Sequence, residues 1–272
     1  MKDQKKAQVA VERPGRADLH IHSSRSDGMA SVAEIMRYVE HETDLDIIAI
    51  ADHDQIDGAL EAARLCAERP TGRVSVLVGT EISASWGRHV LALFFEEPYP
   101  QRPFSRFKPL RETVERVRDA GGLVVVPHAL SALVPSLGER ALAHLLASSA
   151  ARATVAGVET CSGVVGGRRS EARLRRLNAA QWRLANVGSS DAHHLIQIGS
   201  AYTTFPGRSP VDLRAALMAR TTQAHWAGSE AQTARVPVRS HAHQGWRSLV
   251  VKPARELRAV LAGLNRSRRG GG

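Results

Sequence analysis

The sequence alternates between short apolar runs of strand length and amphipathic segments of helix length. The clearest run is 47–51, in which every residue is apolar, as is typical of a parallel strand buried on both faces. A second such run occupies 123–126. Because the alternation continues along most of the chain, it predicts an α/β fold with a parallel sheet or barrel.

The predicted elements follow from these runs and from helix start and stop signals. We predict strands over 16–22, 46–51, 74–79, 89–95, 123–126, 154–159 and 184–188. We predict helices over 31–39, 56–69, 110–120, 140–148, 170–182 and 211–219. Ser31 and Glu34 have the spacing of a capping box at the start of the first helix.

Composition and charge divide the chain into three parts. Residues 1–16 are predicted to be a disordered polar leader, residues 17–228 a globular domain, and residues 229–272 a basic tail. The tail carries nine Lys and Arg residues against two Glu, and so supplies +7 of the net charge of +10. A tail of this kind aids solubility or makes weak contacts with nucleic acid. Neither a known nucleic-acid motif nor a set of aromatic residues for base stacking accompanies it.

The cysteine count and the apolar runs exclude two classes of protein. Two cysteines, Cys66 and Cys161, cannot form a disulfide framework or a cysteine zinc site. No apolar run is long enough to span a bilayer, and the charged N-terminus lacks the apolar segment of a signal peptide. We therefore expect a cytoplasmic protein without membrane contact.

Histidines and carboxylates concentrate at the ends of the predicted strands. The chain has 12 histidines, six of which lie at such ends. In the first strand a period of two would place Asp18, His20 and His22 on one face, with Leu19 and Ile21 on the other. A single histidine of this kind is as often a hydrogen-bonded core residue as a ligand. The recurrence of the pattern at strand after strand favours a site at the C-terminal mouth of a barrel.

These strand-end residues resemble the motifs of the polymerase-and-histidinol-phosphatase (PHP) family of metal-dependent phosphoesterases. The matching segments are 18–28 (DLHIHSSRSDG), 51–54 (ADHD), 79–83 (GTEIS), His89, 127–128 (PH) and 190–193 (SDAH). All occur in the family's order, and the resemblance covers roughly residues 17–225. It implies a distorted seven-stranded (β/α) barrel that holds up to three divalent metal ions at its C-terminal mouth.

The resemblance also implies which residues bind the ions. His20, His22, Glu81 and Asp191 would bind one ion; Glu81 would bridge to a second ion, completed by His89 and His128; Asp27, His53 and His193 would bind a third. Glu81, Asp191 and His193 are in addition assigned to catalysis. A nitrogen-rich site with bridging carboxylates suits Mn²⁺, our preferred ion, or Zn²⁺ or Fe²⁺, better than Ca²⁺ or Mg²⁺.

A two-metal site of this kind predicts the hydrolysis of phosphate esters. Two ions about 4 Å apart activate a bridging water and clamp a phosphoryl group. Arg25, Arg168 and Arg169 are candidate phosphate contacts, although each could equally be a solvated loop arginine. His194 and Asp54 are candidate acids or orient ligand imidazoles, and Glu159 is interpreted as a supporting carboxylate.

The preferred function is hydrolysis of a small phosphomonoester, either a nucleotide or a sugar phosphate. The Ser-Asp-Gly form of the first motif resembles the nucleotide-phosphatase-like branch, but the inserted helical subdomain of that branch is replaced here by a proline-rich loop and one helix. A 5′ exonuclease on short RNA or DNA is the first alternative, and a non-catalytic metal-binding regulatory module is the second. An amidohydrolase-like barrel is disfavoured because no lysine lies at a predicted strand end.

Overall fold

The computed structural model describes residues 13–131, 134–164 and 166–228. Its strands are β1 (Gly15–Ile21), β2 (Ile47–Ile50), β3 (Ser75–Ser83), β4 (His89–Phe94), β5 (Leu123–Val126), β6 (Val155–Ser162), β7 (Ala185–Ser189), β8 (Ala201–Phe205) and β9 (Gln223–Trp226). Its helices are α1 (Val32–Glu42), α2 (Asp57–Ala67), α3 (Leu110–Asp119), α4 (Glu139–Leu146), α5 (Ser149–Thr154), α6 (Gly167–Leu177) and α7 (Pro210–Ala219). Among these described helices, none combines the length and the apolar character needed to span a membrane.

All nine described strands form one sheet, in the order β7-β6-β5-β4-β3-β2-β1-β8-β9. The pairs β1/β2, β2/β3, β5/β6 and β6/β7 are parallel, whereas β4 runs antiparallel to both β3 and β5. The expectation of a parallel sheet is therefore wrong for β4, because β3 and β4 are joined by a tight hairpin rather than by a crossover helix. Strand β8 is also antiparallel to its neighbours β1 and β9.

The sheet curves until its two sides nearly meet, which confirms the predicted barrel. At the mouth, the amide of His22 donates to the carbonyl oxygen of Ala192 at 2.8 Å, so the end of β1 reaches the segment after β7. Lower down, the Thr203 hydroxyl on β8 lies 3.0 Å from the Gly188 amide and 2.9 Å from its carbonyl oxygen on β7. Backbone contacts at the mouth and the Thr203 side chain lower down thus join the two sides of the sheet, although the described strands form no regular ladder there.

Apolar residues fill both faces of this barrel. In β2, Ile47 and Ala49 pack on the inner face, while Ile48 and Ile50 pack against the surrounding helices. Helix α7 contributes Leu213 to the inner cluster, so one helix packs against the inside of the sheet. The side chains that could bind metal lie at the opposite end of the barrel interior from this apolar cluster.

Strand β1 departs from the regular alternation that the sequence predicts. Leu19 packs in the inner cluster and Ile21 in the helix-facing one, because the register with β2 shifts between Asp18 and Ile21. The prediction that both side chains share one face is wrong. The Asp18 carboxylate accepts hydrogen bonds from the amides of Ser190 and Gly199, and a longer one of 3.4 Å from the amide of His20.

Most predicted element positions hold to within a few residues. The capping box of α1 is confirmed, since Ser31 accepts from the Glu34 amide at 3.3 Å and Glu34 accepts from the Ser31 amide at 2.8 Å. Strand β1 begins at Gly15, so the last two residues of the predicted leader lie in the sheet. Residues 1–12 and the predicted tail, 229–272, lie outside the described residues.

Candidate metal centre

Nine side chains with metal-ligand chemistry converge at one end of the barrel. They are His20, His22, Asp27, His53, Glu81, His89, His128, Asp191 and His193. Eight of them come from the carboxyl ends of parallel strands or the loops that follow. His89 instead begins β4, and the antiparallel direction of β4 brings its first residue to that same end.

The first group surrounds a point between β1, β3 and the loop after β7. The Nε2 atoms of His20 and His22 lie 3.1 Å apart. Oε2 of Glu81 lies 3.3 and 3.4 Å from these two nitrogens, and Oδ1 of Asp191 lies 3.5 and 3.0 Å from them. Four donor atoms bonded to one ion at about 2.1 Å would be separated by roughly 3.0–3.4 Å. The donor set and its spacing therefore fit a divalent transition-metal ion.

Glu81 turns its two carboxylate oxygens toward different histidines. While Oε2 faces the first group, Oε1 lies 2.7 Å from Nδ1 of His89 and 2.8 Å from Nε2 of His128. Nδ1 of His53 lies 3.0 Å from Oε2. A carboxylate with this arrangement could bridge two adjacent ions.

A third group forms around Asp27, in the loop after β1. The Nε2 atom of His193 lies 3.4 Å from Oδ1 of Asp27, and Nε2 of His53 lies 3.7 Å from its Oδ2. His22 also reaches this group, with its Nδ1 3.7 Å from Oδ1. The nine predicted residues therefore come together, but their clusters overlap more than predicted. His22 and His53 each reach two clusters, and His128 also lies with His20 and Asp191.

Buried carboxylates outside the groups hold these side chains in place. Glu159 on β6 lies 2.9 Å from Nδ1 of His20 and accepts from the His128 amide at 2.7 Å. Asp52 accepts from the Ser23 amide and hydroxyl and from the Ser26 hydroxyl, and so fixes the loop that presents Asp27. The sequence suggested a supporting role for Glu159. It placed Asp52 in the ADHD motif without a role, because the partners of Asp52 lie about 30 residues earlier.

The two candidate acids also have structural contacts. The Asp54 carboxylate accepts from the Ser83 amide at 2.7 Å and from its hydroxyl at 2.8 Å, which ties the loop after β2 to the end of β3. The His194 amide donates to the side chain of Gln197 at 3.0 Å.

Three residues of the site have a positive backbone φ angle: Asp54 at 50°, His128 at 29° and Asp191 at 49°. Backbone strain of this kind is concentrated at functional sites.

The carboxylates in the centre favour protonation of several facing imidazoles. Burial opposes protonation of His193, but the facing Asp27 carboxylate outweighs it and raises the His193 pKa to about 9. Burial is likewise outweighed at His20 and His128, where nearby carboxylates raise the pKa. The imidazoles in turn hold the pKa of Glu81 and of Asp191 well below the usual range, against the effect of burial. Divalent ions would take over the role of these protons.

A cavity of about 430 Å³ opens beside His128. Ser131, Ser162, Arg169 and Arg173 contribute its polar lining, and the first turn of α6 forms one wall. Of the three predicted phosphate contacts, Arg169 lines this cavity.

The other two predicted phosphate contacts have protein partners. Arg25 donates to Glu61 at 2.6 Å. The Arg168 guanidinium lies 4.3 Å from the Trp226 ring centroid and donates to the Gly228 carbonyl oxygen. Burial raises the pKa of the Cys161 thiol to about 12, so this cysteine stays protonated and is not a nucleophile at neutral pH.

Three curated proteins are similar to this chain in sequence. The uncharacterized protein MJ1587 of Methanocaldococcus jannaschii is 32% identical over 136 residues, which cover 46% of this chain and 74% of that protein. A 5′-3′ exoribonuclease of Haemophilus influenzae is 34% identical over 87 residues, or 31% of this chain and 30% of that enzyme. A 3′,5′-nucleoside bisphosphate phosphatase of Chromobacterium violaceum is 35% identical over 107 residues, or 38% of this chain and 36% of that enzyme.

Comparisons of family and fold agree with these matches. A family profile described as PHP-associated matches residues 171–222. A two-domain protein of Bacteroides vulgatus that contains a predicted PHP-like metal-dependent phosphoesterase has a similar fold, with a TM-score of 0.59 and 20% identity over 82% of this chain and 68% of that one. Sequence and barrel therefore lead to the same conclusion, that this chain belongs to the PHP family of metal-dependent phosphoesterases.

Proposed function

We propose that this protein hydrolyses small phosphomonoesters, either nucleotides or sugar phosphates, with Mn²⁺ as the preferred ion and Zn²⁺ or Fe²⁺ as alternatives. The observation that carries the proposal is the arrangement at Glu81, whose two oxygens face separate sets of imidazoles within 3.4 Å. Such an arrangement suits adjacent ions, and paired ions are typical of enzymes that transfer or hydrolyse phosphoryl groups.

The proposed ligands fall into the three groups described above. His20, His22, Glu81 and Asp191 form the first, Glu81, His89 and His128 the second, and Asp27, His53 and His193 the third. Bound ions would supply Lewis acidity and a nucleophile derived from water at neutral pH. Glu81 and Asp191 set the spacing of the donor atoms, and Glu159 keeps the His20 ring oriented by accepting from its Nδ1.

The cavity beside His128 supports a small substrate. Its volume of about 430 Å³ lies within the range of small-molecule sites. Arg169 in its lining is a candidate partner for an anionic group of the substrate, and Arg25 and Arg168 remain predicted contacts. Between β4 and β5 the chain forms α3 and a proline-containing loop, with no larger inserted unit in residues 95–122.

The same proposal assigns the protein to the cytoplasm. Both cysteines, Cys66 and Cys161, are free thiols, which suits a reducing compartment.

A comparison of ester classes tests the proposal. The Mn²⁺-loaded protein is expected to cleave p-nitrophenyl phosphate and mononucleotides faster than bis-p-nitrophenyl phosphate. A terminal phosphate is dianionic and presents more oxygens to clustered ions, whereas a diester also needs room for a second substituent. A clear preference for the diester would contradict the proposal. Bound metal without hydrolysis of any ester would instead favour the non-catalytic module.

A 5′ exonuclease is the second candidate function. The similarity to the Haemophilus influenzae exoribonuclease favours it, as does the basic tail. Stepwise release of nucleotides from a short labelled oligonucleotide, without activity on mononucleotides, would support this candidate over the first.

A further inference from the structure

A largely exposed tryptophan lies in the turn between β3 and β4, next to the metal centre. Strands β3 and β4 form a hairpin in which Ser83 pairs with His89, and the turn between them carries Trp86. The side chain of Trp86 is 88% exposed. Three residues of chain span at most about 11 Å, so Trp86 lies close to His89, whose Nδ1 is 2.7 Å from Glu81.

A second exposed aromatic residue is tied to the same turn. The Phe107 amide donates to the Ser83 carbonyl oxygen at 2.7 Å, and the Ser85 amide donates to the Lys108 carbonyl oxygen at 2.8 Å. These two hydrogen bonds hold Phe107 beside the hairpin, although it lies 21 residues after Trp86. Phe107 is 64% exposed.

Folding stability does not account for either ring. Trp86 has a φ of 64° and Phe107 a φ of 57°, a left-handed conformation that bulky side chains rarely adopt. Each residue therefore combines backbone strain with an apolar surface left in water. Glycine or asparagine would adopt these positive φ angles with less strain. Backbone strain that persists at bulky, exposed residues points to a functional role.

Guanidinium groups lie near these two aromatic residues. The Arg106 guanidinium lies 5.6 Å from the centroid of the Phe107 ring. A groove of about 760 Å³ next to the hairpin is lined by Arg88, Arg111, Arg140 and His144, without a carboxylate in its lining. Within the part of the chain that the structure describes, the side chains of Arg88 and Arg140 make no ion pair. Arg111 pairs with Glu115, so the positive charge of this groove comes mainly from Arg88 and Arg140. The surface next to the hairpin is therefore both aromatic and positively charged.

We propose that Trp86 and Phe107 form a stacking platform for the nucleobase of the substrate, next to arginines whose positive charge attracts the anionic substrate toward the metal centre. Aromatic rings beside cations are the features by which proteins bind single nucleotides and single strands without reading their sequence. The platform rests on the proposed phosphoesterase function and narrows its substrate class to nucleotides, in preference to sugar phosphates. The base belongs either to a mononucleotide or to the terminal residue of an oligonucleotide.

Kinetics with a matched pair of substrates tests the platform. AMP and ribose 5-phosphate present the same phosphate on the same sugar and differ only in the base. The wild-type protein is expected to prefer AMP in kcat/KM, and Trp86→Ala to reduce that preference by about fivefold to 30-fold, mainly through the KM of AMP. Phe107→Ala should act in the same direction. Met218→Ala, which removes an exposed apolar side chain from α7, should leave the preference unchanged.

Fluorescence provides a readout that does not depend on hydrolysis. Adenosine is expected to quench tryptophan emission where ribose does not, and Trp86→Phe should remove that quenching although three tryptophans remain. A short oligoadenylate that quenches at lower concentration than AMP would assign the base to a strand, and the reverse would assign it to a mononucleotide.

The outcomes separate the platform from the phosphoesterase function. Equal hydrolysis of AMP and ribose 5-phosphate by wild type and Trp86→Ala, without quenching by adenosine, would overturn the platform and leave the proposed function standing. Quenching that depends on Trp86 in a protein that hydrolyses no ester would support the platform as a binding surface, and the proposed function would then fail.

Discussion

Glu81 is the residue on which the candidate site depends most. It is buried at the end of β3, and five imidazoles have a ring nitrogen within 3.4 Å of its two oxygens. Its Oε2 faces His20, His22 and His53, whereas its Oε1 faces His89 and His128. Its role as a bridge can therefore be tested by removing the charge while keeping the shape.

We expect Glu81→Gln to lower kcat/KM for a phosphomonoester by at least about 100-fold, because a neutral amide bridges two cations poorly. The measurement is steady-state kinetics with Mn²⁺, together with metal content by elemental analysis and a thermal unfolding curve. Glu112→Gln makes the same substitution on the exposed face of α3 and should retain full activity. Near-normal turnover in folded Glu81→Gln would show that Glu81 is not the bridge.

Metal binding should release protons and strengthen as the pH rises. Without a cation the pKa of His193 is about 9, so this ring holds a proton at neutral pH, and nearby carboxylates also raise the pKa of His20 and His128. Each ring must lose its proton to bind a metal, so the apparent affinity should increase from pH 7 toward pH 9. Calorimetric titration of metal-free protein with Mn²⁺ in two buffers of different ionisation enthalpy measures the release. An affinity independent of pH over this range would contradict the assignment.

At the scale of elements, the sequence predicts where strands lie better than how they run. The apolar runs of β2 and β5 identify both strands because burial on two faces needs unbroken apolar sequence. The direction of β4 has no such signal, since a buried apolar run of this kind fits parallel and antiparallel pairs equally. Strands β8 and β9 escape prediction because each is short and mixes polar with apolar residues.

In the candidate site, too, the sequence predicts local features better than contacts between distant segments. Motifs local to one strand end identify all nine donor residues. The shift in β1, the support from Asp52 and the pairing of Trp86 with Phe107 all depend on contacts between distant segments. Such contacts have no signature in one sequence.

The loop before β2 contains a carboxylate that joins three segments at the far end of the barrel. Asp46 accepts from Arg13 before β1, from the Arg16 amide in β1, and from Arg208 before α7. Burial would raise its pKa, but the hydrogen bonds from the two guanidinium groups outweigh burial and lower it. This contact connects the start of the barrel to the segment that leads into α7.

We expect Asp46→Asn to reduce the free energy of unfolding by about 2 kcal/mol at pH 7, because charged hydrogen bonds are replaced by weaker ones. A carboxyl group with a depressed pKa stabilises the fold above its unfolded pKa of about 3.9, and this stabilisation is lost as the pH falls through the folded value. The difference in the free energy of unfolding between wild type and variant should therefore be constant from about pH 5 to 8. It should shrink as the pH falls below about 4. Urea unfolding measures it.

Asp44→Asn provides the matched control for this variant. Asp44 pairs with Arg16 at the exposed surface, so its replacement should cost less than about 1 kcal/mol. A similar effect for both substitutions would show that Asp46 joins the three segments no more strongly than a surface ion pair.

At the scale of the whole molecule, chemistry and charge occupy separate parts of the chain. Every proposed ligand precedes Tyr202, and the last described strand, β9, ends at Trp226. The tail from residue 229 onward carries +7 of the net charge of +10. Positive charge of this density raises the local concentration of polyanions but has no necessary part in cleaving a small ester.

Deletion of residues 229–272 should therefore leave the hydrolysis of AMP within about twofold of the full-length value and weaken the binding of oligonucleotides. Each phosphate contact that is lost with the tail should reduce the slope of log Kd against log salt by about 0.7 for a single strand. The measurements are steady-state kinetics with AMP and binding of a labelled oligonucleotide at several salt concentrations. A full-length variant in which Arg266, Arg268 and Arg269 are replaced by Gln should give an intermediate slope. Loss of AMP hydrolysis in a truncated protein that still unfolds cooperatively would show instead that the tail contributes to the site at the barrel mouth.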